Sequence, residues 1–255
     1  PPAAAASPNS NGTPSASSTR DNESVPGTRA LFDGFSKTAL SFLINLGEND
    51  KAWFDANRAT YDQEVVPAAK AFVVAMGDFL RANVSDAIEA SPKTNGSIAP
   101  INNDLRFSPD ASPYKDHLMF RFWEGPVKKT SAMLMVRVHP TDGVGFASGM
   151  NFGSLDQWRN AIDDDTTGSE LADAIARIVD DTKADVVGEG LKRVPKPFEA
   201  DHPRADLLRH KGLQVRFIKK PPRGKLSKAA FVDEFAGPEL VQLAGVHHWL
   251  VANMI

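Results

Sequence analysis

Large apolar side chains between residues 36 and 90 return every three or four positions, the spacing that lines one face of an α-helix. Three helices follow from it. Ser36 can cap the first, which carries Leu40, Phe42, Leu43 and Leu46 and stops at Gly47. Asn49 or Asp50 caps the second, with Trp53, Phe54, Asn57 and Tyr61 at helical spacing. Pro67 suits the first turn of the third, which runs to about Ala90 on a stripe of Phe72, Met76, Phe79 and Leu80. From Ser97 the period shortens. Segments 97–102, 117–123, 132–139 and 144–151 read as strands. The clearest has Met133, Met135 and Arg137 alternating with Leu134, Val136 and Val138, as a strand with two unlike faces does. Pro140-Thr141-Asp142-Gly143 supplies turn chemistry between the last two.

Further along, Ser154 caps a helix through Ile162 and Ser169 opens another to about Asp181. Strands are expected near 185–189 and 213–218, then helix from Ser227 to about Phe235 and from Pro238 onward. Strands joined by short turns pair antiparallel. Helices at both ends of a run of strands make the fold class α+β, a mostly antiparallel sheet of about five to six strands packed with N-terminal and C-terminal helices. Residues 1–29, rich in Pro, Ala, Ser, Asn and Gly, lack the apolar side chains to offset their ordering entropy and are expected to form a disordered arm. Residues 30–255 are expected to form a single globular domain.

Composition narrows the chemistry more than the fold. There is no cysteine, which removes disulfides, thiolate metal sites and a cysteine nucleophile. No apolar run reaches the length of about 20 residues that a membrane span needs. A soluble, cytoplasmic chain is the expectation, although a targeting segment ahead of Pro1 stays open. The formal charge of −3 hides an asymmetry. From 154 to 187 nine acids face three bases, while from 188 to 225 eleven bases face four acids. The plainest reading is that the two stretches attract one another. No GxGxxG, P-loop or HExxH is present, so neither cofactor nor metal is expected, and the adjacent His247 and His248 read as packing or surface residues. Gly149 is expected to permit a bulge or a close backbone approach.

Two segments could carry chemistry. The first runs from Asp104 to Lys115, where Pro109 and Pro113 stiffen a loop presenting Arg106, Tyr114 and Lys115. Its plainer reading pairs Arg106 with Asp104 or Asp110. The second holds Lys192 and Arg193, then Asp201-His202-Pro203, then Arg209, His210 and Lys211 at the end of a short helix, where cations also suit the helix dipole.

Together with Phe35, Leu43, Lys51-Ala52-Trp53-Phe54, Asn57 and Tyr61, these motifs resemble a family. Asp104-Leu105-Arg106-Phe107-Ser108 leads to Ser112-Pro113-Tyr114-Lys115, and Gly149, Leu155 and Arg159 follow. Leu191-Lys192-Arg193-Pro195, Asp201-His202-Pro203 and Leu207-Leu208-Lys211-Gly212 complete the order. The set, spanning about 31–250, is similar to the microbial and fungal family known as domain of unknown function 2461. Asn103 and Ala111 stand where that family's pattern has Arg and Lys, which removes two charges from the loop. The resemblance implies one domain and no assigned reaction.

The expected function is binding of a small phosphate- or carboxylate-bearing ligand, with or without catalysis. The expected ligand-binding residues are Asp104, Arg106, Tyr114, Lys115, Arg159, Lys192, Arg193 and Lys211, gathered in one pocket. Asp104 or His202 could act as acid or base. The alternative is a non-catalytic adaptor that engages a protein or a nucleic acid through the basic segment 188–225. A third reading makes the motif residues purely structural.

Overall fold

The computed structural model describes residues 31–106 and 112–255, and the expected arm at 1–29 lies outside them. Ser36 caps α1 (Lys37–Gly47) by accepting from the Ala39 amide at 3.0 Å, and Asp50 caps α2 (Lys51–Ala56) by accepting from Trp53 at 2.9 Å. A short α3 (Arg58–Thr60) and a π-helical turn (Tyr61–Val65) lead into α4 (Val66–Asn83), whose first turn holds Pro67. α4 stops at Asn83, short of the expected Ala90. The chain then turns back so that Ile88 is buried, and Arg81 Nη1 donates to the Ile88 carbonyl at 3.0 Å.

Five strands form one antiparallel sheet in the order β1-β2-β3-β5-β4. They are β1 (Leu118–Glu124), β2 (Ala132–His139), β3 (Gly143–Asn151), β4 (Asp185–Val187) and β5 (Gly212–Lys219). The expected strand at 97–102 is absent. Ile98 and Asn102 make isolated bridges to Phe120 and Tyr114, because Pro100 has no N–H to donate and the carbonyls of Pro100 and Asn102 accept from Lys115 Nζ instead.

α5 (Leu155–Asp163) and α6 (Asp165–Thr182) follow β3, and α6 starts earlier than Ser169 because Asp164 is its cap, accepting from Thr167 at 2.8 Å. α7 (Ala205–Leu208) precedes β5. A π-helical turn (Val232–Ala236), α8 (Gly237–Val241) and α9 (Ala244–Met254) close the chain. No helix among the described residues is long and apolar enough to cross a membrane.

Alternation along the strands divides the sheet. Phe120, Phe122, Leu134, Val136, Val138, Val144, Phe146, Val215 and Phe217 point into the core and are almost fully buried. Phe35, Phe72 and Phe231 join Phe120 there as one aromatic cluster, with the Phe72 and Phe120 rings 4.5 Å apart. α4, α8 and α9 pack against this face. Trp158 and Trp249 anchor the helices by donating to the carbonyls of Leu207 and Thr167 at 2.9 and 2.8 Å.

Candidate functional site

The alternate residues of the same strands face the other way, and the pairing register fixes their rows. Met119, Arg137, Gly145 and Ile218 form one row. Arg121, Met135, Ala147, Arg216 and Asp185 form the next, and Trp123, Met133, Gly149, Gln214 and Val187 the third. β3 is the middle strand, and every side chain it presents here from 143 to 149 is Gly or Ala. A central strand of small residues between strands of Met, Arg and Gln makes a trough. At about 3.4 Å per residue it runs for roughly 30 Å along β3. Gly149 has no alternative, since a Cβ there would press into the Leu213 carbonyl oxygen and the Gln214 Cα, the close approach expected from the sequence.

The trough holds two cavities, of 710 and 600 Å³. Met135 and Gln214 line both, and Gln214 Nε2 reaches Met135 Sδ at 3.5 Å over β3, a soft bar across the middle. Arg121, Lys128, Lys129 and Met133 line the first, while Met119, Arg137, Arg216 and Ile218 line the second. Ile218 is 62% exposed and Arg216 lies 3.9 Å from Asp185.

Arg121 is half-buried, and it is the arginine of this face whose side chain makes no hydrogen bond or ion pair among the described residues. On one side Lys115 donates to the carbonyls of Pro100 and Asn102; on the other Lys128 donates to those of Asn95 and Gly96, its ammonium 4.8 Å above the Trp123 ring. Burial, and after it the charge of Arg121, holds both ammonium pKa values below the usual lysine range. Three cations thus share a partly desolvated region in which the two lysines hold backbone carbonyls and the guanidinium is left over.

At the end of the trough, Asp116 lies between two imidazoles. His117 Nδ1 is 2.7 Å from Asp116 Oδ1 and His139 Nε2 is 3.1 Å from Oδ2. His139 Nδ1 accepts from the amides of Thr141 and Asp142 at 3.2 and 3.0 Å, which places the His139 proton on Nε2, facing Asp116. Arg137 Nη2 stands 3.7 Å from Asp116 Oδ1. Burial pushes the Asp116 carboxyl up, but hydrogen bonds from His117 and His139 outweigh it and hold the pKa below its ordinary value. Burial lowers the pKa of His117, helped by Arg137 and opposed by Asp116. No cluster of three or more His, Asp or Glu among the described residues suits a metal ion.

Of the eight residues expected from sequence, only Lys115 adjoins the trough, through its charge coupling to Arg121. Asp104 and Arg106 face one another, with Nε–Oδ1 at 2.9 Å and Nη2–Oδ2 at 2.6 Å, and the guanidinium holds the exposed carboxyl below its usual range. Residues 107–111 of that loop lie outside the described residues. Tyr114 is buried, its ring stacked 4.8 Å from Phe54. Arg159 has a buried Nε without a partner and an Nη1 3.9 Å from Asp156. Lys211 pairs with Glu189 at 2.7 Å, while Lys192 and Arg193 are exposed. His202 lies 3.3 Å from Asp163, and Arg204 beside it donates to the carbonyls of Ile162 and Asp163 and pairs with Asp165. Part of the acidic stretch therefore meets the basic one.

Arg121 and Arg137 were missed because sequence reading looked to loops for polar residues, and the signal that finds them is period-two alternation, with Gly143, Gly145, Ala147 and Gly149 as its small counterpart. Lys128, Lys129 and the Asp116–His117 pair lie off the strands, and only the fold brings them to this face. Residues 38–237 match the model of a family described as conserved hypothetical protein, DUF2461. No curated protein and no solved structure matches the chain. With well over half its length covered by that match, the chain belongs to the DUF2461 family.

Proposed function

We propose that the trough binds a small ligand bearing a carboxylate or phosphate group, with the anion at Arg121 beside Lys128 and Lys129. The rest of the ligand lies along Met135 and the small residues of β3. The observation that carries this reading is the guanidinium of half-buried Arg121, left without a protein anion among the described residues while two partly buried ammonium groups, Lys115 and Lys128, feel its charge. A forked guanidinium suits two oxygens of one anion. Cavities of this size, apolar with a few convergent polar groups, are typical of small-molecule sites.

Titration with glutarate and with pyrophosphate, read by tryptophan fluorescence because Lys128 sits over Trp123, tests it. Arg121→Gln is expected to weaken binding by about 10-fold or more, the scale of one lost charge-assisted hydrogen bond. Equal affinity in the variant contradicts the reading.

The adaptor reading is weaker. Six of the eleven bases in 188–225 (Arg204, Arg209, Lys211, Arg216, Lys219 and Lys225) have a carboxylate within ion-pair distance. Lys192, Arg193, Lys196, Lys220 and Arg223 remain exposed for a phosphate backbone. A steep fall in nucleic-acid affinity with salt, lost on neutralising Lys192 and Arg193, would favour it.

A further inference from the structure

The trough's outer end carries an arrangement that anion binding does not require. Asp116 Oδ1 takes the Nδ1 proton of His117 at 2.7 Å, which leaves the lone pair of the neutral ring on Nε2. That nitrogen has no hydrogen bond among the described residues and is not one of their buried unpartnered atoms, so solvent reaches it. Asp116 is itself held from behind by His139, whose tautomer is set by two backbone amides. It also packs so closely on α1 that a Cβ at Gly47 would overlap its own Cβ. A carboxylate fixed by a second imidazole, orienting a first imidazole whose far nitrogen is open, is the geometry of a general base.

The groups facing His117 are Asp116 on its own segment, Arg137 and His139 from β2, and, behind His139, Asp142 at 3.5 Å. Burial and Arg137 lower the ring's pKa and so favour its neutral form, while Asp116 opposes them. Arg137 lines the 600 Å³ cavity and also approaches Asp116, so it joins the pair to the trough. Arg121 and Arg137 are diagonal neighbours across β1 and β2, about 7–8 Å apart at the backbone.

We infer that His117 is the general base of a hydrolytic site at this end of the trough, that Asp116 is its positioning residue, and that the substrate is a carboxylic ester carrying a second, anionic group. This rests on the anion site proposed at Arg121. His117 Nε2 takes a proton from water while the water oxygen bonds to the ester carbonyl carbon. The charge moved to the carbonyl oxygen faces the Arg137 guanidinium. Collapse of the tetrahedral adduct breaks the bond to the alkoxide, which takes the proton back from His117 Nε2. One ester and one water give one acid and one alcohol, and no co-reactant is needed.

The test compares mono-4-nitrophenyl glutarate with neutral 4-nitrophenyl pentanoate, using the full chain and three variants whose folding is checked by their urea midpoints. Wild type is expected to hydrolyse the glutarate ester saturably and in preference to the neutral one. His117→Gln should lower kcat/KM by about 100-fold or more. Asp116→Asn should lower kcat and move the acidic limb of the pH profile, which a merely structural contact would not do. Arg121→Gln should raise KM far more than it lowers kcat. Hydrolysis by His117→Gln at the wild-type rate overturns the inference, as does the absence of saturable turnover. If wild type fails to turn over the ester yet binds glutarate in an Arg121-dependent way, the inference falls and the binding reading stands. If glutarate does not bind, the inference falls, and if pyrophosphate does not bind either, the binding reading falls with it.

Discussion

The two faces of the sheet are made by the same strands and differ in almost every physical respect. On β2, Leu134, Val136 and Val138 are fully buried, whereas Met133, Met135 and Arg137, one position away each time, are half-exposed. The core face is filled by interlocking aromatic rings. The other is hollowed along its middle strand by Gly and Ala, keeps three methionines and an isoleucine in reach of water, and collects arginines. Leaving that apolar surface uncovered forgoes roughly 25 cal/mol per Å² of burial. A packing requirement does not explain the choice; the ligand proposed for the trough would, and Met suits an occupant of irregular shape.

The contrast is most easily broken by truncation. Phe120→Ala on the core face is expected to cost about 3–5 kcal/mol in urea unfolding, while Met135→Ala on the open face should cost less than about 1 kcal/mol. Similar losses would mean that both faces are packed alike. Next in size is a pair of glycines on β3. Gly149→Ala drives its methyl into β5 backbone and should cost about 2 kcal/mol. Gly145→Ala meets Arg137 Cβ at 3.4 Å, an ordinary contact, and should cost under about 1 kcal/mol while narrowing the trough enough to weaken ligand binding.

A smaller effect comes from histidines. His117, His210 and His247 all titrate below the usual value of 6.5 because burial disfavours their charged forms. Between the two values the unfolded chain binds more protons, so this contribution is complete above pH 6.5 and is lost as pH falls through the folded-state values. Stability measured by urea at pH 7.5 should therefore exceed that at pH 5.5. Fully buried His247, 3.1 Å from Glu124, should be a main source of the slope, which His247→Gln would flatten. Smallest of all, Arg121→Gln should change stability by no more than about 0.5 kcal/mol in either direction, since the residue has no protein partner to lose.

Much of the architecture was legible. Caps at Ser36, Asp50 and Ser154 and the alternation in β2 mark elements that local chemistry specifies. The segment 97–102 misled because its side chains suit a strand while Pro100 and the reach of Lys115 for its carbonyls, a contact 15 residues away in sequence, prevent one. The candidate site was legible only in part. Arg106 and Lys211 carried the right chemistry, but nearby Asp104 and Glu189 meet them, and which bases acquire a carboxylate is a tertiary fact. Arg121 drew no attention because a lone arginine in a strand resembles any solvent-facing residue until the fold brings Lys115 and Lys128 within reach of its charge.

The most direct test of the open face as a binding site is a residue-resolved titration. Amide and arginine side-chain NMR signals of the full chain, followed as glutarate is added, should move first at Arg121, Lys129, Gly149 and Gln214, with Lys192 and Arg193 unchanged. Shifts confined to 192–193, or none along β3, would contradict the account.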